Sequence, residues 1–111
     1  MVRDARRHRR IPYVGPVAVS WTVNDEPRYT RGRCIDVSEA GLRLELPVAV
    51  ATGTDISLNA ERIKISGQAR VRHCTRYGAK YLAGVELSQA LRNNALAALR
   101  DPQNLRAPAV V

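Results

Sequence analysis

A chain of 111 residues is one ordinary domain by length, which argues against a multidomain enzyme and allows one core that hides roughly two thirds of the chain's surface. Its 45% apolar content is that of a globular protein, and no apolar run approaches the roughly 20 residues that cross a bilayer. The 18 Lys plus Arg against 10 Asp plus Glu leave a formal charge of +8, which directs attention to anionic partners.

Residues 1–10, MVRDARRHRR, hold Arg3, Arg6, Arg7, Arg9 and Arg10 against one acid, Asp4. No apolar stretch stands behind that charge, so the segment lacks the form of a secretory signal and a cytoplasmic location is expected. Only Lys64 and Lys80 among the basic residues are Lys; the planar guanidinium fork of the rest suits phosphate and guanine edges better than a point charge does. We assign 1–12 to a flexible basic arm, 13–101 to a barrel domain with a terminal helix, and 102–111 to a loose tail.

Past the arm the pattern has period two. Val17, Val19, Trp21 and Val23 alternate with Ala18, Ser20 and Thr22, which predicts a strand whose odd positions face inward. Asn24, Asp25, Glu26 and Pro27 supply a turn. A second strand is expected from Tyr29 to Val37 and a third from Gly41 to Leu46, where Leu42, Leu44 and Leu46 alternate with Arg43 and Glu45 before Pro47 ends it. Thr52 and Gly53 mark a turn, followed by alternation from Thr54 to Asn59 and again from Glu61 to Ser66, with Gly67 as a bend or bulge. Ala69, Val71 and His73 continue inward positions toward Tyr77, leaving Arg70, Arg72 and Arg76 on the solvent face, and a last strand covers Lys80 to Leu87.

From Ser88, an N-cap, the period lengthens: Leu91, Ala95, Ala98 and Leu99 recur at helical spacing up to Arg100, with Pro102 as a stop. The expected fold is therefore all-β, a six-stranded antiparallel barrel with a C-terminal α-helix.

Enzyme motifs are missing. Phosphate-loop, zinc-protease and serine-hydrolase patterns have no match, and the carboxylates Asp36, Glu39 and Glu45 sit around one turn rather than in a cleft. Cys34 and Cys74 stand far apart with no zinc spacing, so no metal is expected and both read as reduced, partly buried thiols. His8 and His73 read as neither ligands nor proton carriers, and Trp21 and Tyr81 read as core or wall residues.

Two segments remain: R-R-H-R-R, Arg6 to Arg10, running directly into Ile11 and Pro12, and D-V-S-E-A-G, Asp36 to Gly41, between two strands. Together they resemble the PilZ domain family, whose pattern is R-x-x-x-R followed by [D/N]-x-S-x-x-G. Arg6 and Arg10 fit the first part, with Arg3 and Arg7 a second copy, and Asp36, Ser38 and Gly41 fit the second. Y-L-A-G-V-E-L, Tyr81 to Leu87, is similar to the family's final strand, in which Gly84 would line the site.

The resemblance implies a non-enzymatic bacterial receptor for cyclic di-GMP that needs no cofactor and signals to a downstream protein. It implies a ligand set of Arg6, Arg7, Arg10, Asp36, Ser38, Gly41 and Gly84. Guanidinium groups match phosphate oxygens and the O6/N7 edge of guanine, while a carboxylate and a hydroxyl match its donor edge. Ligand binding would order the arm. The rival readings are a small barrel that binds single-stranded nucleic acid, disfavoured by five aromatics and no Phe, and a PilZ-like adaptor without ligand.

Overall fold

The computed structural model describes residues 11–38 and 41–92, the side chains of 11–14 excepted, and over this stretch the period-two pattern becomes six strands. They are β1 (Ile11–Val23), β2 (Glu26–Val37), β3 (Gly41–Leu46), β4 (Asp55–Ala60), β5 (Ile65–Tyr77) and β6 (Lys80–Leu87). Every pairing is antiparallel, and the strands close in the order β1-β2-β3-β6-β5-β4. Closure pairs both edges of the sheet, which removes open strand edges.

The expected inward residues fill the barrel. Val17, Val19, Leu42, Leu44, Leu46, Ile56, Leu58, Val71 and Val85 form one buried aliphatic cluster with Cys34 and Val37. Burying each such side chain stabilises the fold by about 1.5–3 kcal/mol. The interior is thus a packed core, and any larger ligand must use the outside.

Several expectations from the sequence need correction. Alternation places Val23 inward, but it is exposed and Trp21 is half-buried, because β1 runs past the end of the barrel into its hairpin with β2. The turn of that hairpin is Asn24 and Asp25 alone, with φ of 51° and 69°; Glu26 and Pro27 already belong to β2. A tight turn with both φ positive matches the twist of the strands it joins. The stretch from Glu61 to Ser66 is not a strand of its own. Glu61–Ile63 is a 3-10 turn that ends on Lys64 at φ 56°, and β5 starts at Ile65. Ile63 is buried all the same, so its alternation reports burial correctly and conformation wrongly.

The C-terminal helix begins after Ser88. Ser88 Oγ accepts from the Leu91 N–H at 3.4 Å, and its carbonyl accepts from the Arg92 N–H at 2.9 Å. This is N-cap geometry. Leu91 is buried against Gly67, whose φ of +151° no β-branched residue would adopt comfortably; a Cβ there would lie 3.1 Å from a Leu91 methyl. Ala95, Ala98, Leu99 and the tail lie outside the described residues.

Candidate functional site

Two β-bulges organise the outer wall. Along β2 the buried positions are Thr30, Cys34 and Val37, so the period of two fails once. Cys34 pairs with Leu44 and Asp36 with Arg43, which leaves Ile35 as the extra residue of a bulge. The bulge lets Cys34 and Val37 both face the core while Asp36 turns outward. Along β5, Val71 pairs with Val85 and His73 with Gly84, so Arg72 is the extra residue there. This corrects the alternation expected for Ala69, Val71 and His73: the first two are buried and His73 is exposed.

The registers put the re-aimed residues on one rung. Asp36 on β2 faces Arg43 on β3, Arg43 faces Gly84 on β6, and Gly84 faces His73 on β5. Gly84 lies between the inward residues Ala83 and Val85, so its open side faces out. Arg43 Nε reaches Asp36 Oδ2 at 3.2 Å. The Asp36 side chain is only 16% exposed and that of Arg43 41%, so the carboxylate sits low on the wall with the guanidinium above it.

The β2–β3 turn is held by Ser38 and Gly41. Ser38 N–H donates to the Gly41 carbonyl at 2.9 Å, the Ser38 hydroxyl donates to the same oxygen at 3.3 Å, and Gly41 N–H donates back to Ser38 Oγ at 3.2 Å. Ser38 is buried, so its hydroxyl serves the turn. Gly41 has its own reason: a Cβ there would fall on the Val85 carbonyl oxygen of β6, so only glycine lets β3 and β6 approach.

Of the residues expected to form the site, the structure gathers Asp36 and Gly84 on one rung and Ser38 and Gly41 in the adjoining turn. Arg6, Arg7 and Arg10 lie outside the described residues. The chain they lead into is described: Ile11 and Pro12, expected to be the end of the arm, already belong to β1, Ile11 pairing with Val37 and Pro12 with Asp36. Arg10 is therefore bonded to a residue that sits beside the turn.

Arg43 and His73 join the rung without being among the expected site residues. Alternation in G-L-R-L-E-L does put Arg43 outside, but only the register reveals that it meets Asp36. His73 carries no such signal, because its outward turn depends on a bulge.

Around the rung, three carboxylates hold five basic side chains. Glu45 takes Arg33 at 2.9 Å and Lys80 at 3.8 Å, Glu86 takes Arg72 at 3.0 Å and Arg92 at 3.3 Å, and Asp55 takes Arg70 at 2.9 Å. The hydrogen bond and charge of Asp55 raise the Arg70 pKa further above its ordinary value. Among the described residues no group of three or more His, Cys, Asp and Glu could hold a metal ion, and neither cysteine is in a disulfide, Cys34 being buried and Cys74 half-buried. No described helix is long and apolar enough to cross a membrane.

A filled, closed barrel with its polar residues on the outer wall, next to the entry of the first strand, is a small β-barrel module whose working surface is its outside. More specifically, the chain belongs to the PilZ domain family: the PilZ domain model matches residues 4–101. Solved structures agree on the fold. The chain is similar to the PilZ domain of YcgR from Escherichia coli, solved with c-di-GMP, at TM-score 0.59 and 17% identity, covering 87% of this chain and 93% of that one. It is similar also to YcgR from E. coli in complex with c-di-GMP, at TM-score 0.57 and 17% identity, over 86% of this chain and 45% of that longer one. No curated protein matches the chain.

Proposed function

We propose that this chain is a non-enzymatic receptor for cyclic di-GMP, acting in the bacterial cytoplasm. The observation that carries the reading is the rung Asp36, Arg43, Gly84, with Pro12 of β1, two residues after the last arginine of the arm in sequence, paired to Asp36. Membership of the PilZ family and the YcgR PilZ domain solved with c-di-GMP support the choice of ligand.

The chemistry rests on the residues. Arg6, Arg7 and Arg10 bond the two phosphates and the O6/N7 edge of a guanine. Asp36, held in place by Arg43, accepts from guanine N1 and N2. Ser38 and Gly41 fix the turn that aims Asp36, and Gly84 keeps the wall low enough for a flat base. One arginine–phosphate contact near a surface has a Coulomb term of about 4 kcal/mol before desolvation, and a micromolar complex needs about 8 kcal/mol net. Two or three such contacts together with base stacking supply the gross attraction from which desolvation and ordering of the arm are subtracted. Pinning the arm changes the surface offered to a downstream protein, which is the output.

Competition binding tests the reading. Labelled cyclic di-GMP is displaced by unlabelled cyclic di-GMP, and neither GTP nor single-stranded RNA at equal concentration displaces it. Displacement by RNA with a steep salt dependence would instead mark a nucleic-acid-binding barrel.

A further inference from the structure

Closure leaves no strand of the barrel without two neighbours, yet β2 outruns one of them. Its ladder with β3 starts at Arg33 opposite Glu45, while β2 itself starts at Glu26. From Glu26 to Gly32 the strand has β1 on one side and, among the described residues, no strand on the other. β3 ends at Leu46 and Pro47 follows, so the lane beside this part of β2 is empty of backbone partners. The register shows which groups point into it. Val23 and Glu26 close the two-residue turn, and a closing pair of this kind exchanges both its hydrogen bonds, after which bonded and non-bonded pairs alternate. Pro27, Tyr29 and Arg31 fall on the non-bonded pairs and aim their backbone groups away from β1. Tyr29 and Arg31 each offer an N–H and a carbonyl; Pro27 offers a carbonyl alone. The Arg31 carbonyl takes a 3.4 Å bond from the Thr30 hydroxyl, which leaves it a second lone pair.

Basic and apolar side chains frame the lane. Arg28, Arg31 and Arg33 lie along β2, while Arg76 and Lys80 lie on the β5–β6 hairpin, beyond Leu46 and Tyr81, where β3 and β6 part. Against them stand Glu45, shared by Arg33 and Lys80, and Glu26, which holds Arg28 at 3.7 Å. Arg31 and Arg76 have no carboxylate partner among the described residues. Tyr29, Tyr77 and Val48, just past the end of β3, are exposed large hydrophobics on the bordering segments, and exposed Tyr beside Arg is the composition of protein contact sites.

We propose that the lane docks an extended acidic segment of a partner protein, which adds to β2 as a strand where β3 leaves off. The inference stands independently of the dinucleotide reading, since the lane lies at the barrel end away from Asp36. Donors and acceptors alternating along an edge match a peptide backbone; a phosphodiester backbone brings acceptors and no donors. A carboxylate opposite Arg31 shares the outer face with Arg31 and Arg33. A second copy of this chain would bring the same arginines to the same edge, which like charge disfavours. Pro27 and the arginines also guard the edge against indiscriminate pairing, so the lane admits strands of opposite charge.

Fluorescence anisotropy on the full chain tests this with a labelled peptide that alternates Glu with Val, and with its Lys-for-Glu counterpart. The lane predicts saturable binding of the acidic peptide below about 1 mM, and binding at least about tenfold weaker for the basic peptide and for Arg31→Glu. Tyr29→Pro removes one outward N–H without touching the ladder to β1, so it binds at least about tenfold more weakly than Tyr29→Ala. Amide hydrogen exchange at Tyr29 and Arg31 of the native chain slows when the acidic peptide is added. No binding of the acidic peptide, equal binding of both peptides, or unchanged exchange at these two amides would overturn the proposal, and the exchange result decides even if Tyr29→Pro fails to fold. A native dimer in sedimentation that Arg31→Glu or Tyr29→Pro disperses would give the lane to a second copy and overturn it too. Uptake of cyclic di-GMP, measured separately, is untouched by any of these results.

Discussion

At the scale of single residues, the motif D-V-S-E-A-G divides its labour. Asp36 faces outward and pairs with Arg43 in a half-exposed ion pair, an interaction worth about 1 kcal/mol or less. Ser38 is buried and its hydroxyl makes two of the three bonds that close the turn onto Gly41, so removing it leaves the Gly41 N–H without that acceptor, at a cost of about 1–3 kcal/mol. The two substitutions therefore behave oppositely. Asp36→Asn melts within a few degrees of the native chain and loses at least tenfold in affinity for cyclic di-GMP. Ser38→Ala loses stability first, seen as a lower midpoint in urea, and its binding defect comes from the loosened turn. Equal destabilisation by both variants would contradict this division.

At the scale of elements, the legible part of the fold is the part that alternation can report. Leu42, Leu44 and Leu46, or Val17 and Val19, sit in unbroken ladders, and there the pattern gives both strand and inward face. Where the ladder gains a residue, at Ile35 and Arg72, a period of two cannot predict the face of the next positions along the strand, so the placement of Asp36 and His73 relative to the core is hidden. Burial without conformation misleads at Ile63, which a 3-10 turn buries as well as a strand would. Ser38 and Gly41 are legible as a turn from their residue types, whereas the ion pair of Asp36 with Arg43 is not, since it depends on register. The elements also bear two stability tests. Leu91 is the described anchor of the terminal helix, buried against Gly67; Leu91→Ala should destabilise by about 2–4 kcal/mol in chemical unfolding. In the β1–β2 turn, Asp25 holds a φ of 69° that glycine adopts without strain, so Asp25→Gly should raise stability by about 0.5–1 kcal/mol. A lowered melting temperature would show that the turn is held by something other than its backbone.

At the scale of the whole molecule, a closed barrel filled by its own side chains leaves its interior to the core, so recognition falls to its outside. There the described charges are largely paired, around Glu45, Glu86 and Asp55. The densest unbalanced charge in the sequence is the segment from Arg3 to Arg10, which feeds into β1 opposite Asp36. The central claim is that this segment and the rung grip one doubly anionic ligand. The most direct measurement is calorimetric titration of cyclic di-GMP into the full native chain and into Arg10→Ala. The account predicts saturable uptake by the native chain, no detectable uptake by Arg10→Ala at the same concentrations, and matching thermal melts in the absence of ligand. Undiminished affinity in a folded Arg10→Ala would contradict it.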